Sequence, residues 1–155
     1  MRLYHFTSTI HLPFILRDGY LKVTETNLDP VHPHAAPDAV WFLDGPDLGG
    51  SLHGLNVDSL PGPRPDKTQV RIEVEVPDGR VRAWLPWVEA QGIDPEWLDI
   101  LTRNDGGREG AARWMLVFRK VTIDQFVTIE VRDEHGVWHN MTSIIDELEA
   151  AKVGG

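Results

Sequence analysis

The chain contains no cysteine. That absence removes disulfides, thiolate zinc sites, iron–sulfur clusters and cysteine nucleophiles from consideration. No apolar run approaches the ~18 to 20 residues that cross a bilayer, and Met1 to Phe6 lacks the apolar stretch of a signal peptide. A soluble, cytoplasmic protein with no membrane role is therefore expected. Basic residues are scarce, with 15 Lys and Arg against 24 Asp and Glu and a formal charge of -9. Neutralising phosphates takes a surplus of cations on the contact face, so this balance argues against tight non-specific binding to nucleic acid. Brief contact by an unevenly charged enzyme remains open, as does an acidic face offered to a basic partner.

What is present points to one globular domain. The chain has 155 residues, 41% of them hydrophobic, enough for a single domain over residues 1–155 with its own core. It carries six tryptophans, an excess of large flat rings that fits either core packing or stacking on a base.

Hydrophobic periodicity sketches the elements. Leu3, His5 and Thr7 alternate with Tyr4 and Phe6, which predicts a strand with one aromatic face. Thr7 or Ser8 is placed to cap a helix running to about Arg17, with Ile10, Phe14 and Ile15 on its apolar side and Asp18-Gly19 as its stop. Residues 27–38 read as a loop, and Ala39 to Leu43 as a short buried strand. Leu48, Leu52 and Leu55 are spaced to mark one or two helical turns inside the irregular stretch 45–65. Thr68 to Val76 alternates most cleanly, with Val70, Ile72, Val74 and Val76 on one side and Arg71, Glu73 and Glu75 on the other. Val81 to Trp84 reads as a strand, followed by a short helix. Asp94-Pro95 opens another helix, as an N-cap and first helical residue. Asn104 to Gly110 reads as a loop. Strands are predicted at 114–118, 125–131 and 137–140, and a helix capped by Thr142 or Ser143. The fold class expected is α+β, with short helices flanking the strands.

Few residues suggest chemistry. His32 and His34 lie near Asp29 and Asp38, and His135 and His139 flank a turn, but none belongs to a helical His-Glu-x-x-His pattern, so no metal site is expected. No serine sits in a nucleophile elbow. The glycines of 45–54 and 106–110 lack both the P-loop lysine and dinucleotide-fold spacing. His5 is sharper, because a histidine in mid-strand between aromatics is costly to bury without a partner. It reads either as a core histidine bonded to a backbone carbonyl or as a ligand-binding side chain.

The order around it carries a resemblance. Tyr4-His5-Phe6-Thr7, then Leu16-Arg17-Asp18-Gly19, then Val40-Trp41-Phe42-Leu43-Asp44 resembles the N-terminal half of the ADP-ribosyltransferase superfamily. The poly(ADP-ribose) polymerase-like branch, the RNA 2′-phosphotransferases and the DNA-modifying toxins are nearest in style, as are small bacterial and phage proteins with a similar opening. The resemblance implies a split, mixed β core whose cleft holds NAD⁺. It places His5 on the ribose next to nicotinamide, Thr7 as the following hydroxyl, and Trp41 against the nicotinamide ring. The family's glutamate opens a late strand before an aromatic and apolar run. Trp114 to Phe118 is such a run, but Arg113 stands before it. Glu109 is then the nearest upstream carboxylate, and Glu130 the fallback. Arg17, Arg71 and Arg113 are candidates for the pyrophosphate.

These residues suit the chemistry. Breaking the nicotinamide–ribose bond develops positive charge at the ribose carbon, which a carboxylate stabilises, while histidine and aromatic contacts orient the dinucleotide. The leading expectation is an NAD-dependent ADP-ribosyltransferase acting on a protein or nucleic acid, of a size that suits a toxin or phage effector. Arg113 at the glutamate position keeps open a non-catalytic module that binds a nucleotide or a protein on the same fold. An RNA 2′-phosphotransferase-like enzyme is the third possibility.

Overall fold

A computed structural model describes residues 1–23, 38–48, 66–103 and 107–154. The expected turn at Leu52 and Leu55, and the loop histidines His32 and His34 with Asp29, lie outside the described residues.

The strands are β1 (Arg2–Thr7), β2 (Tyr20–Leu21), β3 (Val40–Leu43), β4 (Val70–Glu75), β5 (Val81–Ala83), β6 (Trp114–Val117), β7 (Val121–Thr122), β8 (Phe126–Arg132) and β9 (Trp138–Asn140). The helices are α1 (Leu12–Asp18), α2 (Trp84–Ala90), α3 (Pro95–Arg103), α4 (Arg108–Ala111) and α5 (Ser143–Gly154). Seven strands form one sheet in the order β5-β6-β3-β1-β4-β8-β9, and β2 pairs with β7 in a separate ribbon. The α+β class follows from this mixture of helices and sheet. Every pairing in both sheets is antiparallel, which corrects the expectation of a split, mixed core. Between β5 and β6 the chain passes through α2, α3 and α4 and returns antiparallel to the strand it left, so no parallel crossover is formed there.

Register assigns the faces. His5 lies opposite Ile72, and Ile72 opposite Ile129. Together with Leu3, Phe42, Val70 and Val74 these aliphatic positions build one core, closed by Leu12, Ile15 and Leu16 of α1 and by Ile144, Ile145 and Leu148 of α5. Period-two alternation turns Tyr4, Phe6, Trp41, Leu43, Trp114 and Leu116 to the other face. There α2, α3 and α4 contribute Trp84, Val88, Leu98 and Ala111.

Two local readings change. Helix α1 begins at Leu12, because Ser8 Oγ accepts the His11 N–H at 3.1 Å and holds residues 8–11 in a turn. The buried stripe is therefore Leu12, Ile15 and Leu16, an i, i+3, i+4 set, while Ile10 and Phe14 are 60% and 49% exposed. The stretch read as a loop up to Gly110 contains the start of α4. Gly107 takes a φ of 81° just before it, and the fully buried Ala111 ties this short turn to the core. The Gly19 stop holds: its φ is 80° and its N–H donates to the Ile15 carbonyl at 2.8 Å.

Ile72 is fully buried and lies directly across from His5. Ile72→Ala is expected to lower unfolding stability by about 2 to 5 kcal/mol, through lost transfer energy and a residual cavity, as read by urea denaturation.

Candidate functional site

His5 sits on the central strand with its ring edge-on to Phe42, centroids 5.7 Å apart. Its Nδ1 lies 2.8 Å from the Trp41 carbonyl oxygen. A carbonyl only accepts, so Nδ1 carries the proton. Burial pushes the imidazole below its ordinary value; the Trp41 hydrogen bond opposes this and the Lys67 charge adds to it. The residue keeps some accessible surface, yet the protein around the ring removes enough water for desolvation to dominate. His5 is thus a neutral histidine whose Nε2 is an acceptor, and Nε2 makes no hydrogen bond to a described residue. Two residues along the same face, Thr7 is 6% exposed.

Trp41 does not join them. Tyr4 pairs with Leu43, so Trp41 shares the face of Tyr4 and Phe6, and His5 shares that of Phe42. The Trp41 ring lies 5.8 Å from Trp84 and 5.8 Å from Trp114, centroid to centroid. The expectation that His5 and Trp41 line one pocket is corrected: they meet only through the Nδ1–carbonyl bond, and their rings are on opposite sides of the sheet. Trp84 and Trp114 are 1% and 4% exposed, in the core.

The remaining candidates are dispersed. Arg17, in the last turn of α1, is 68% exposed and pairs with Asp18 at 3.3 Å, its guanidinium 5.0 Å from the Phe14 ring centre. Arg113 donates to Asp44 Oδ1 at 3.1 Å and to the Leu48 carbonyl at 3.0 Å, so it fastens the end of β3 to the start of β6. Glu109 is exposed on α4 and forms no ion pair among the described residues. Glu130 pairs with Arg71 at 3.0 Å, with side chains 26% and 12% exposed. Arg71 also donates to the Pro46 carbonyl at 2.9 Å and stacks 4.2 Å from the Trp138 ring centre. Arg71 is opposite Phe6 and Glu130 opposite Arg71, so this pair lies on the face away from His5.

The described residues also line a shallow cavity of about 370 Å³, bounded by Asp66, Gln69, Arg132, Asp133, Glu134 and Gly136. Its carboxylates are engaged internally. Asp66 accepts from Thr68, and Asp133 accepts from the N–H groups of His135 and Val137 and bonds His139 at 2.7 Å. No group of three or more His, Asp or Glu suited to a metal occurs among the described residues. No helix among them is long and apolar enough to cross a membrane.

The sequence reading missed Lys67, the one charged side chain acting on the His5 ring among the described residues. Its position three residues before Val70, itself opposite Thr7, becomes meaningful only once β1 and β4 are paired. Comparisons with family models, curated proteins and solved structures find no match to the chain.

Two outcomes are expected. His5 is neutral in the native state, whereas the unfolded chain binds a proton near the ordinary 6.5. Between the depressed native value and 6.5 the unfolded state holds more protons, so stability rises with pH there and falls on acidification. The urea midpoint lost between about pH 7.5 and about pH 5.5 should be larger in the parent than in His5→Asn, which keeps a donor for the Trp41 carbonyl but does not titrate. Separately, Glu130→Gln removes the partner charge of a partly buried guanidinium. It should lower stability by about 1 to 3 kcal/mol in equilibrium denaturation.

Proposed function

We propose that the chain is an ADP-ribosyltransferase-like domain that binds NAD⁺ through the His5 face of its sheet. The supporting observation is the fixed tautomer of His5: Nδ1–H is committed to the Trp41 carbonyl at 2.8 Å, which leaves Nε2 to accept a hydrogen bond from a sugar hydroxyl. Thr7, on the same face and nearly buried, adds a hydroxyl that both donates and accepts. Together they suit a ribose, whose adjacent hydroxyls need one acceptor and one adaptable partner.

In the transfer reaction the bond between ribose C1′ and the nicotinamide nitrogen breaks. Its electron pair goes to the ring, nicotinamide leaves neutral, and positive charge develops at the ribose carbon. An acceptor on a protein or nucleic acid then forms the new bond to C1′ and loses a proton. A carboxylate that stabilises the developing charge contributes about 2.7 to 4 kcal/mol, by analogy with one oxyanion-hole donor. Glu109, the candidate from sequence for that role, is exposed and unpaired among the described residues, but α4 packs on the sheet face opposite His5, so Glu109 would have to reach the ribose around the sheet. Glu130 is tied to Arg71.

A second reading, a non-catalytic nucleotide-binding module on the same scaffold, is favoured by two specific observations. Glu130 lies across the sheet from His5, and Arg113 occupies the position before the β6 aromatic run while holding Asp44.

The test is incubation of the pure protein with NAD⁺, following nicotinamide release by chromatography and binding by calorimetry. Binding with release supports the transferase, and Glu109→Gln should then lower turnover roughly a hundredfold or more with NAD⁺ affinity retained. Binding without release supports the second reading. In either case His5→Asn should weaken NAD⁺ by about tenfold with little loss of urea stability at neutral pH. Absence of binding by the parent protein overturns both.

A further inference from the structure

The two edges of the seven-stranded sheet, β5 and β9, are finished differently. At the β5 edge Arg82 folds back so that its Nη1 donates to the Gly79 and Val81 carbonyls at 3.0 Å each. A charged side chain lying along an edge in this way discourages pairing with another chain. Residues 137–141, at the β9 edge, contain no Lys, Arg, Asp, Glu or Pro. The Asp133 N–H donates to the Val137 carbonyl at 2.9 Å, and the Met141 N–H to the Ile129 carbonyl at 2.7 Å. Between them His139 lies opposite Val131, so the backbone groups of Val137, His139 and Met141 are turned to β8. Those of Trp138 and Asn140 alternate with them and point outward, where neither makes a hydrogen bond to a described residue.

Side chains at this edge supply a second observation. Val137 and Met141 are 53% and 42% exposed, and by alternation they flank His139 on one face. A twofold axis through His139 sets Trp138 opposite the Asn140 of a second copy, and each such pair exchanges both of its outward N–H···O bonds. The same axis sets Val137 opposite the partner's Met141, which covers both exposed apolar side chains at once. Axes centred on Trp138 or on Asn140 set neither of them against the other. Charge agrees with this register. The turn residue Glu134 is 85% exposed and comes beside the N-terminal end of the partner's α5, where the helix dipole favours a carboxylate.

We propose that the β9 edge is a self-pairing surface, at which two copies of the chain join β9 to β9 antiparallel about a twofold axis at His139 and form one continuous sheet. The interface is isologous, each surface being its own complement. The contact is short, below the area of a permanent dimer, so the association is reversible with a dissociation constant on the order of 10 to 100 µM. Each copy carries a formal charge of -9. The copies therefore repel at low salt, and association should tighten as salt screens that repulsion.

The experiment is analytical ultracentrifugation of the full chain from about 1 µM to about 1 mM, a range that brackets that constant. Val137→Lys and Met141→Glu should each weaken dimerisation about tenfold, because each change enters the interface twice. Both positions are exposed, and an unchanged urea midpoint checks that the fold is kept. Mixed in equal amounts, the two variants should recover most of the parent's affinity. One seam then sets the introduced cation against the introduced carboxylate, while the other keeps the original Val137 and Met141. The chain has no cysteine, so His139→Cys reports on the axis directly. Facing Cα atoms of a non-hydrogen-bonded pair lie about 4.5 Å apart, within reach of a disulfide. Treated with diamide, His139→Cys should give covalent dimer faster than Arg82→Cys at the other edge. A parent that stays monomeric throughout the range overturns the proposal and leaves the edge to a strand of a different protein. It is equally overturned by a dimer that both single variants retain, by a mixture that associates no better than either variant alone, or by equal crosslinking at the two edges.

Discussion

Strand β1 lies at the centre of the seven-stranded sheet, hydrogen-bonded to β3 on one side and β4 on the other. Because successive side chains of a strand point to opposite faces, each residue from Leu3 to Thr7 is committed to one of two environments. Leu3, His5 and Thr7 face the aliphatic core closed by α1 and α5, while Tyr4 and Phe6 face the tryptophan-rich core beneath α2, α3 and α4. A shift of register by one residue would exchange the two sets entirely. The pairing of six β1 residues with β4, and the match of aliphatic against aliphatic at Ile72 and Ile129, hold the register in place.

The Nδ1–carbonyl bond between His5 and Trp41 links the two strands beyond their backbone ladder. It satisfies half of a polar ring in a largely apolar setting and selects the tautomer. A buried polar group without such a partner destabilises a core; with it, His5 is tolerated, and its other nitrogen makes no hydrogen bond to a described residue.

The opposite face solves a different electrostatic problem. Arg71, Glu130 and Trp138 come from three adjacent strands, and each limits the exposure of the others. Pairing plus stacking removes most of the desolvation penalty on the guanidinium. It also occupies Glu130, so a residue that looks like an available strand carboxylate in the sequence serves as the counter-ion of Arg71. Arg113 is similar: it reads as a possible ligand-binding cation and instead ties Asp44 and the Leu48 carbonyl to the entry of β6.

The sequence alone determined which segments are extended and which apolar side each presents. Val70, Ile72 and Val74 against Arg71, Glu73 and Glu75 is a period-two pattern that only a half-buried strand satisfies, and Asp18-Gly19 marks a helix end because glycine accepts the left-handed conformation there. His5 as a buried polar residue with a backbone partner was legible for the same reason, since local chemistry demanded a partner for it. Strand order, direction and facing pairs were not legible, because they depend on contacts between residues far apart in the chain. For that reason the mixed sheet implied by resemblance gave way to an antiparallel one, and Trp41 fell on the far side from His5. The commitments of Glu130 and Arg113 were likewise decided by tertiary structure. Each depends on which strand became the neighbour, a choice made by the global packing of two cores.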